Sequence, residues 1–207
     1  MTNPSTHWQQ VYTTKAIDAV SWYRPHLDRS LGFIDALGLD HDAPILDVGA
    51  GASTLVDDLI ARGHRDLTLN DLADAALAHT RARLATLPAS VRLQYRVGDI
   101  TILDLPQAHH ALWHDRAVFH FLTEAAQRNA YVAQAAHAIR HGGHLLIATF
   151  APDGPERCSG LPVQRYDADA LAAVFAEHFM RIDAARELHP TPFGTTQSFQ
   201  YVVLRRR

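Results

Sequence analysis

The segment Ile45-Leu46-Asp47-Val48-Gly49-Ala50-Gly51-Ala52-Ser53 carries the residue types and spacing that most directly specify chemistry in this chain. A short apolar run leads into two glycines and then a helical pattern, a turn that lets backbone approach a ligand closely while the N–H groups of the following helix face it. Two groups of nucleotide cofactor use such a turn, and the neighbouring residues separate them. A dinucleotide site calls for G-x-G-x-x-G, but Thr54 stands at the third glycine position, so close approach of a pyrophosphate is less well provided. Asp47 precedes the first glycine by two places. A carboxylate there repels a pyrophosphate and attracts an ammonium group, so the loop is expected to take a ligand with a cationic group, and nicotinamide-dependent oxidoreduction is disfavoured.

The elements that must hold this loop alternate along the chain. Residues 45–48, 67–70, 91–97, 111–113 and 145–150 read as strands, several of them apolar on consecutive positions as strands covered on both faces should be. Helical patterns lie between them at 54–62 closed by Gly63, 73–87 closed by Pro88, and 123–140 closed by Gly142-Gly143, where a left-handed C-cap belongs. A further helix over 167–179 places Leu171, Val174, Phe175, His178 and Phe179 on one face, with Asp167 to cap it. Residues 180–188 and 198–205 then read as two antiparallel strands around a turn-rich loop. This rhythm predicts an α/β fold. About forty residues precede the first core strand; 28–39 look helical and 7–23 aromatic and irregular, which predicts an N-terminal cap.

With 207 residues, 47% hydrophobic and 20% charged, the chain can bury one full core, so a single domain over 1–207 is expected, a cap or lid over 1–40 and a core over 41–207. Nineteen basic against 22 acidic residues give a formal charge of -3, which argues against a nucleic-acid partner. Cys158 is the single cysteine, which excludes an internal disulfide and a tetrahedral thiolate zinc site and points to a reducing, cytoplasmic setting. No apolar run approaches the roughly 20 residues needed to span a bilayer. The 14 histidines lack partner acids at ligand spacing, so no metal is expected.

Four segments, in order, resemble the motifs of the class I S-adenosylmethionine-dependent methyltransferases. Asp47-Val-Gly49-Ala-Gly51 resembles the first, in which the acid pairs with the methionyl amino group and the glycines admit the cofactor. Asp71, in Leu69-Asn70-Asp71-Leu72, resembles the acid that chelates the ribose hydroxyls; Gly98-Asp99-Ile100 resembles the adenine contact, Asp99 accepting from the exocyclic amine and Ile100 lying against the ring. His141-Gly142-Gly143-His144 and the apolar run after it resemble the glycine-led fifth strand. The N-terminal His7-Trp8-Gln9-Gln10-Val11-Tyr12 and Ser21-Trp22-Tyr23 are similar to the aromatic opening segment of small protein-lysine methyltransferases acting on elongation factor 1A or citrate synthase. The resemblance implies a Rossmann-like doubly wound seven-stranded sheet, order 3-2-1-4-5-7-6 with strand 7 antiparallel, under a short helical cap whose Trp8, Tyr12 and Tyr23 fold over the cofactor. The alternative is that these aromatic residues only cover the sheet edge.

In that fold ligands lie beyond the carboxyl ends of the parallel strands, which selects the N-terminal cap, the turn His114-Asp115-Arg116, the loop 151–164 and the loop 189–197. Methyl transfer from a sulfonium needs alignment, exclusion of water and, for a protonated acceptor, a base. His114, also facing the cofactor, or Asp115 is the expected base, with His189 the second candidate. His120 is read as a core residue and Cys158 as inert. The turn after strand four lacks the Asp/Asn-Pro-Pro-aromatic pattern of nucleic-acid-base and glutamine methyltransferases. A small molecule is therefore the expected acceptor, with S-adenosylhomocysteine as by-product. A protein lysine is the alternative that the resemblance implies, and a cofactor-binding module without turnover is the alternative from another class.

Overall fold

The computed structural model describes residues 4–207. Before the first strand stand α1 (Pro4–Thr14), a 3-10 turn Ile17–Ala19 and α2 (Asp28–Leu37). There follow β1 (Ile45–Val48), α3 (Leu55–Ala61), β2 (Asp66–Asp71), α4 (Asp74–Arg83), β3 (Arg92–Val97), β4 (His110–Arg116), α5 (Ala125–Ala138) and β5 (Ile139–Phe150). A two-residue strand pair, Arg157–Cys158 with Leu161–Pro162, leads to α6 (Ala168–Val174), β6 (Phe179–Pro190) and β7 (Thr196–Arg206).

Seven strands form one sheet in the order β3-β2-β1-β4-β5-β7-β6. The first five are parallel, and β7 runs antiparallel between β5 and β6. This is the Rossmann-like methyltransferase topology that the sequence leads one to expect. All residues of β1 and β2 are buried, as strands covered on both faces must be, whereas the edge strands β3 and β6 are largely open to solvent. Two apolar layers sandwich the sheet. On one face Leu31 and Ile34 of α2 and Leu55 and Leu59 of α3 pack on Ile45, Leu112, Leu146 and Phe199. On the other, Tyr131 and Ala135 of α5 and Leu171 and Phe175 of α6 pack on Leu46, Trp113, Leu145 and Val202. Alternate residues of one strand thus serve opposite layers.

Three local expectations need correction. Residues 4–14 are helical rather than irregular. The helix ahead of Gly142-Gly143 stops at Ala138, and both glycines lie inside β5. Pairing of β4 with β5 shifts register between His110 and Leu112; Gly142 has φ +74°, and a Cβ on Gly143 would press on the carbonyls of Arg140 and Ala111. The glycines therefore shape a strand irregularity, not a helix end. The helix at 167–179 is also shorter, since Phe179 already opens β6. Asp167 caps it as expected, accepting from the Ala170 N–H at 2.7 Å.

Candidate functional site

β1 delivers the chain into Gly49-Ala50-Gly51, where both glycines adopt left-handed backbone, φ +62° and +57°, which a side chain disfavours. A Cβ on Gly49 would fall inside the Val118 side chain, and one on Gly51 would collide with the Tyr12 hydroxyl. The turn is tied to the end of β2 through Asp71, whose carboxylate accepts from Gly51 N–H at 3.0 Å and Ala73 N–H at 2.9 Å. Burial pushes the Asp71 carboxyl up to about 6 against the opposing pull of those two N–H groups. Buried carboxylates, Asp47 and Asp71, therefore bracket a turn with no room for side chains.

The N-terminal segment roofs this turn. Ser5 donates to the Leu72 carbonyl at 3.1 Å, and the Gln9 side chain accepts from Ala75 N–H at 3.2 Å, which seats α1 on the start of α4. Trp8 packs on Tyr12, Trp22 and Phe121, with ring centroids 6.4, 5.7 and 5.2 Å away. Burial, reinforced by the charge of Asp71, pushes the Tyr12 hydroxyl well above its ordinary pKa, so it stays a neutral phenol. Beneath the roof lies a cleft of about 550 Å³ counted to its open mouth, lined by Tyr12, Trp22 and Tyr23 above and by Asp47, Gly49, His114 and Arg116 below.

Register sets Asp47 opposite His114. The His114 Nδ1 lies 2.7 Å from Asp47 Oδ1 and its Nε2 2.9 Å from the Ser30 hydroxyl, all three side chains buried. This pattern assigns Nδ1–H to Asp47 and leaves Nε2 accepting from Ser30. Asp115, one residue on, points to the opposite face. It accepts from the Val118 and Phe119 N–H groups at 3.0 and 3.1 Å and from the Tyr131 hydroxyl at 2.5 Å, and burial pushes its carboxyl up to about 6. Asp115 is thus not among the residues lining the cleft.

His189 is fully buried with Nε2 donating to the Ser21 carbonyl at 2.8 Å. Burial and the neighbouring Arg116 push its pKa down to about 4, so it is a neutral tie between the last strands and the roof rather than a group facing the cleft. Asp99 is exposed and accepts from the Thr101 N–H at 2.9 Å, while Ile100 is buried in the core layer that also holds Trp113. Leu72 is half-buried under α1. Burial pushes the Cys158 thiol up to about 12. Among the described residues no group of three or more His, Cys, Asp or Glu is placed to hold a metal ion, and no helix is long and apolar enough to cross a membrane.

Sequence reasoning gave Arg116 no role, yet it lines the cleft beside His114. The period of two along β4 was the available signal, since a residue two places after His114 shares its side of the sheet.

Residues 45–143 match the family model described as a methyltransferase domain. No curated protein matches the sequence. Among solved structures, the chain is similar to a 1,6-didemethyltoxoflavin-N1-methyltransferase from Burkholderia thailandensis, at 23% identity over 95% of this chain and 80% of that one, TM-score 0.69. It is similar to the N-methyltransferase NodS of Bradyrhizobium japonicum WM9, solved with S-adenosylhomocysteine, at 13% identity over 97% and 98%, TM-score 0.72. A protein described in the conversion of a disulfide bond into a thioacetal group during echinomycin biosynthesis matches at 16% identity over 99% and 92%, TM-score 0.79. These likenesses show a shared fold.

Proposed function

We propose that this chain is a class I S-adenosylmethionine-dependent methyltransferase that transfers a methyl group to a nucleophilic atom of a small molecule. The observation that carries this reading is the glycine turn bracketed by buried Asp47 and Asp71. A cationic ammonium suits the first carboxylate and a diol donating two hydrogen bonds suits the second, so the residues present fit S-adenosylmethionine. Asp99 and Ile100 would meet the adenine, and Trp8, Tyr12 and Tyr23 would cover it. When bound, the cofactor supplies a methyl carbon already activated by its sulfonium.

The chain's own contribution is then alignment and exclusion of water. The aromatic roof stands over the cleft and leaves its mouth partly open, and a cleft covered in this way suits a small acceptor better than a protein segment. His114 is the base that the geometry favours over Asp115 and His189, because of the three it alone lines the cleft. Its Nε2 can take a proton once the Ser30 hydroxyl turns away, and the Asp47 carboxylate on Nδ1 would stabilise the imidazolium formed. His114 Nε2 would thus hold the displaced proton, while the acceptor's electron pair would form the new bond to the methyl carbon as its bond to sulfur breaks.

Calorimetric titration tests this reading. S-adenosylhomocysteine is expected to bind in the micromolar range, about -8 kcal/mol, and NADH to give no heat. The reverse preference, or no binding of S-adenosylhomocysteine, would remove the cofactor assignment. With the first outcome, methyl-labelled cofactor and a panel of thiols, amines and phenols identify the acceptor.

A further inference from the structure

Arg116 closes β4 with its side chain only 5% exposed. Its Nε donates to the Tyr201 hydroxyl at 3.0 Å and its Nη1 to the Trp22 carbonyl at 3.2 Å, and its guanidinium carbon stands 4.3 Å from the Phe199 ring centroid. The third nitrogen, Nη2, is buried without a hydrogen-bond partner among the described residues. The nearest acid, Glu187, holds Oε2 4.0 Å from Nη2, too far for a hydrogen bond, and that oxygen already accepts from Tyr201 at 3.0 Å. A buried N–H on a charged group with no acceptor is unfavourable and rare. Its persistence beside the cleft calls for an acceptor that arrives from outside.

From this we infer that Arg116 binds the methyl acceptor, and that the acceptor is a small molecule with a carboxylate on an apolar body. The inference rests on the methyltransferase reading above. Three protein contacts already fix the guanidinium plane, so a carboxylate oxygen meets a preorganised N–H donor of Nη2 rather than a mobile side chain. The apolar body suits the part of the wall formed by Ile17, Val20, Trp22 and Leu27, which face the same cleft. A phosphate is disfavoured, since a dianion needs several donors and Glu187 stands beside the single free one.

The test uses the full chain saturated with S-adenosylhomocysteine, titrated with benzoate and hexanoate against the uncharged benzamide and hexanamide, and read by tryptophan fluorescence. A carboxylate is expected to bind in the millimolar range and at least about tenfold tighter than its amide. Arg116→Met should abolish the difference, and Glu187→Gln, which removes the competing negative charge, should tighten carboxylate binding several-fold. If Arg116→Met does not fold, the acid-to-amide ratio and Glu187→Gln carry the test. Equal affinity for acid and amide, no binding of either acid, or weaker carboxylate binding in Glu187→Gln overturns the inference. S-adenosylhomocysteine binding, measured first on the same sample, separates this failure from failure of the cofactor assignment.

Discussion

The two faces of β4 treat their polar residues in opposite ways. On the α5 side, Trp113 Nε1 donates to the Tyr131 hydroxyl at 2.8 Å, which donates to Asp115, which also accepts two backbone N–H groups. That network closes on itself. On the cleft side, His114 is held between Asp47 and Ser30, and Arg116 keeps one nitrogen free. A network satisfied entirely from within holds the fold together, and one left open is where a ligand can complete the bonding. Adjacent residues on a single strand thus divide scaffold from site.

The largest expected effect breaks the closed face. Asp115→Ala would leave the Tyr131 hydroxyl and the Val118 and Phe119 N–H groups buried without an acceptor, and a loss of about 3–5 kcal/mol in urea unfolding is expected. A loss near zero would erase the distinction between the faces. Asp71→Asn should act on function instead. Removing the proposed charged acceptor of the ribose hydroxyls should weaken S-adenosylhomocysteine binding by about 1.5–3 kcal/mol in calorimetry, with a smaller loss of stability than for Asp115→Ala, because the two Asp71 oxygens accept separate backbone N–H groups and an amide can accept only one of them.

Acid should act through the cleft side. A buried histidine with lowered pKa stabilises the fold above its ordinary 6.5, and that contribution is lost as pH falls through about 4 for His189 and about 3 for His120. Asp71 and Asp115 run the other way, favouring the fold below their ordinary 3.8 and losing that contribution as pH rises through about 6. His110, lowered to about 4, joins the histidines, so stability should decline from pH 6.5 toward 4. His189→Gln, which keeps a donor for the Ser21 carbonyl, should make that decline shallower in urea midpoints measured across the range. The smallest effect sharpens the assignment of the base. Ser30→Ala frees His114 Nε2 at a loss of about 1 kcal/mol, and turnover should rise if that lone pair accepts the proton.

Much of the frame was legible before the structure. Consecutive apolar residues in β1 and β5 marked strands buried on both faces, and Asp47 with Gly49 and Gly51 marked the ligand turn. Helix α1 was not legible because its one buried residue, Val11, leaves no apolar stripe, and its order comes from aromatic contacts with distant segments. Gly142-Gly143 misled because a glycine pair after a helical pattern resembles a C-cap and a strand irregularity alike. Within the site, Asp115 and His114 were inseparable by residue type, and only the alternation along β4 distinguishes them. His189 left no local pattern at all, since its partner carbonyl is 168 residues away.

That last contact also bears on how the molecule comes into being. Synthesis proceeds from the N-terminus, so the roof segment emerges long before β6 supplies His189 to fasten it, and β7, which must slide between β5 and β6, is made later still. The roof segment can therefore settle on α4 and Phe121 early, and its tie to the sheet is completed only once β6 has been made.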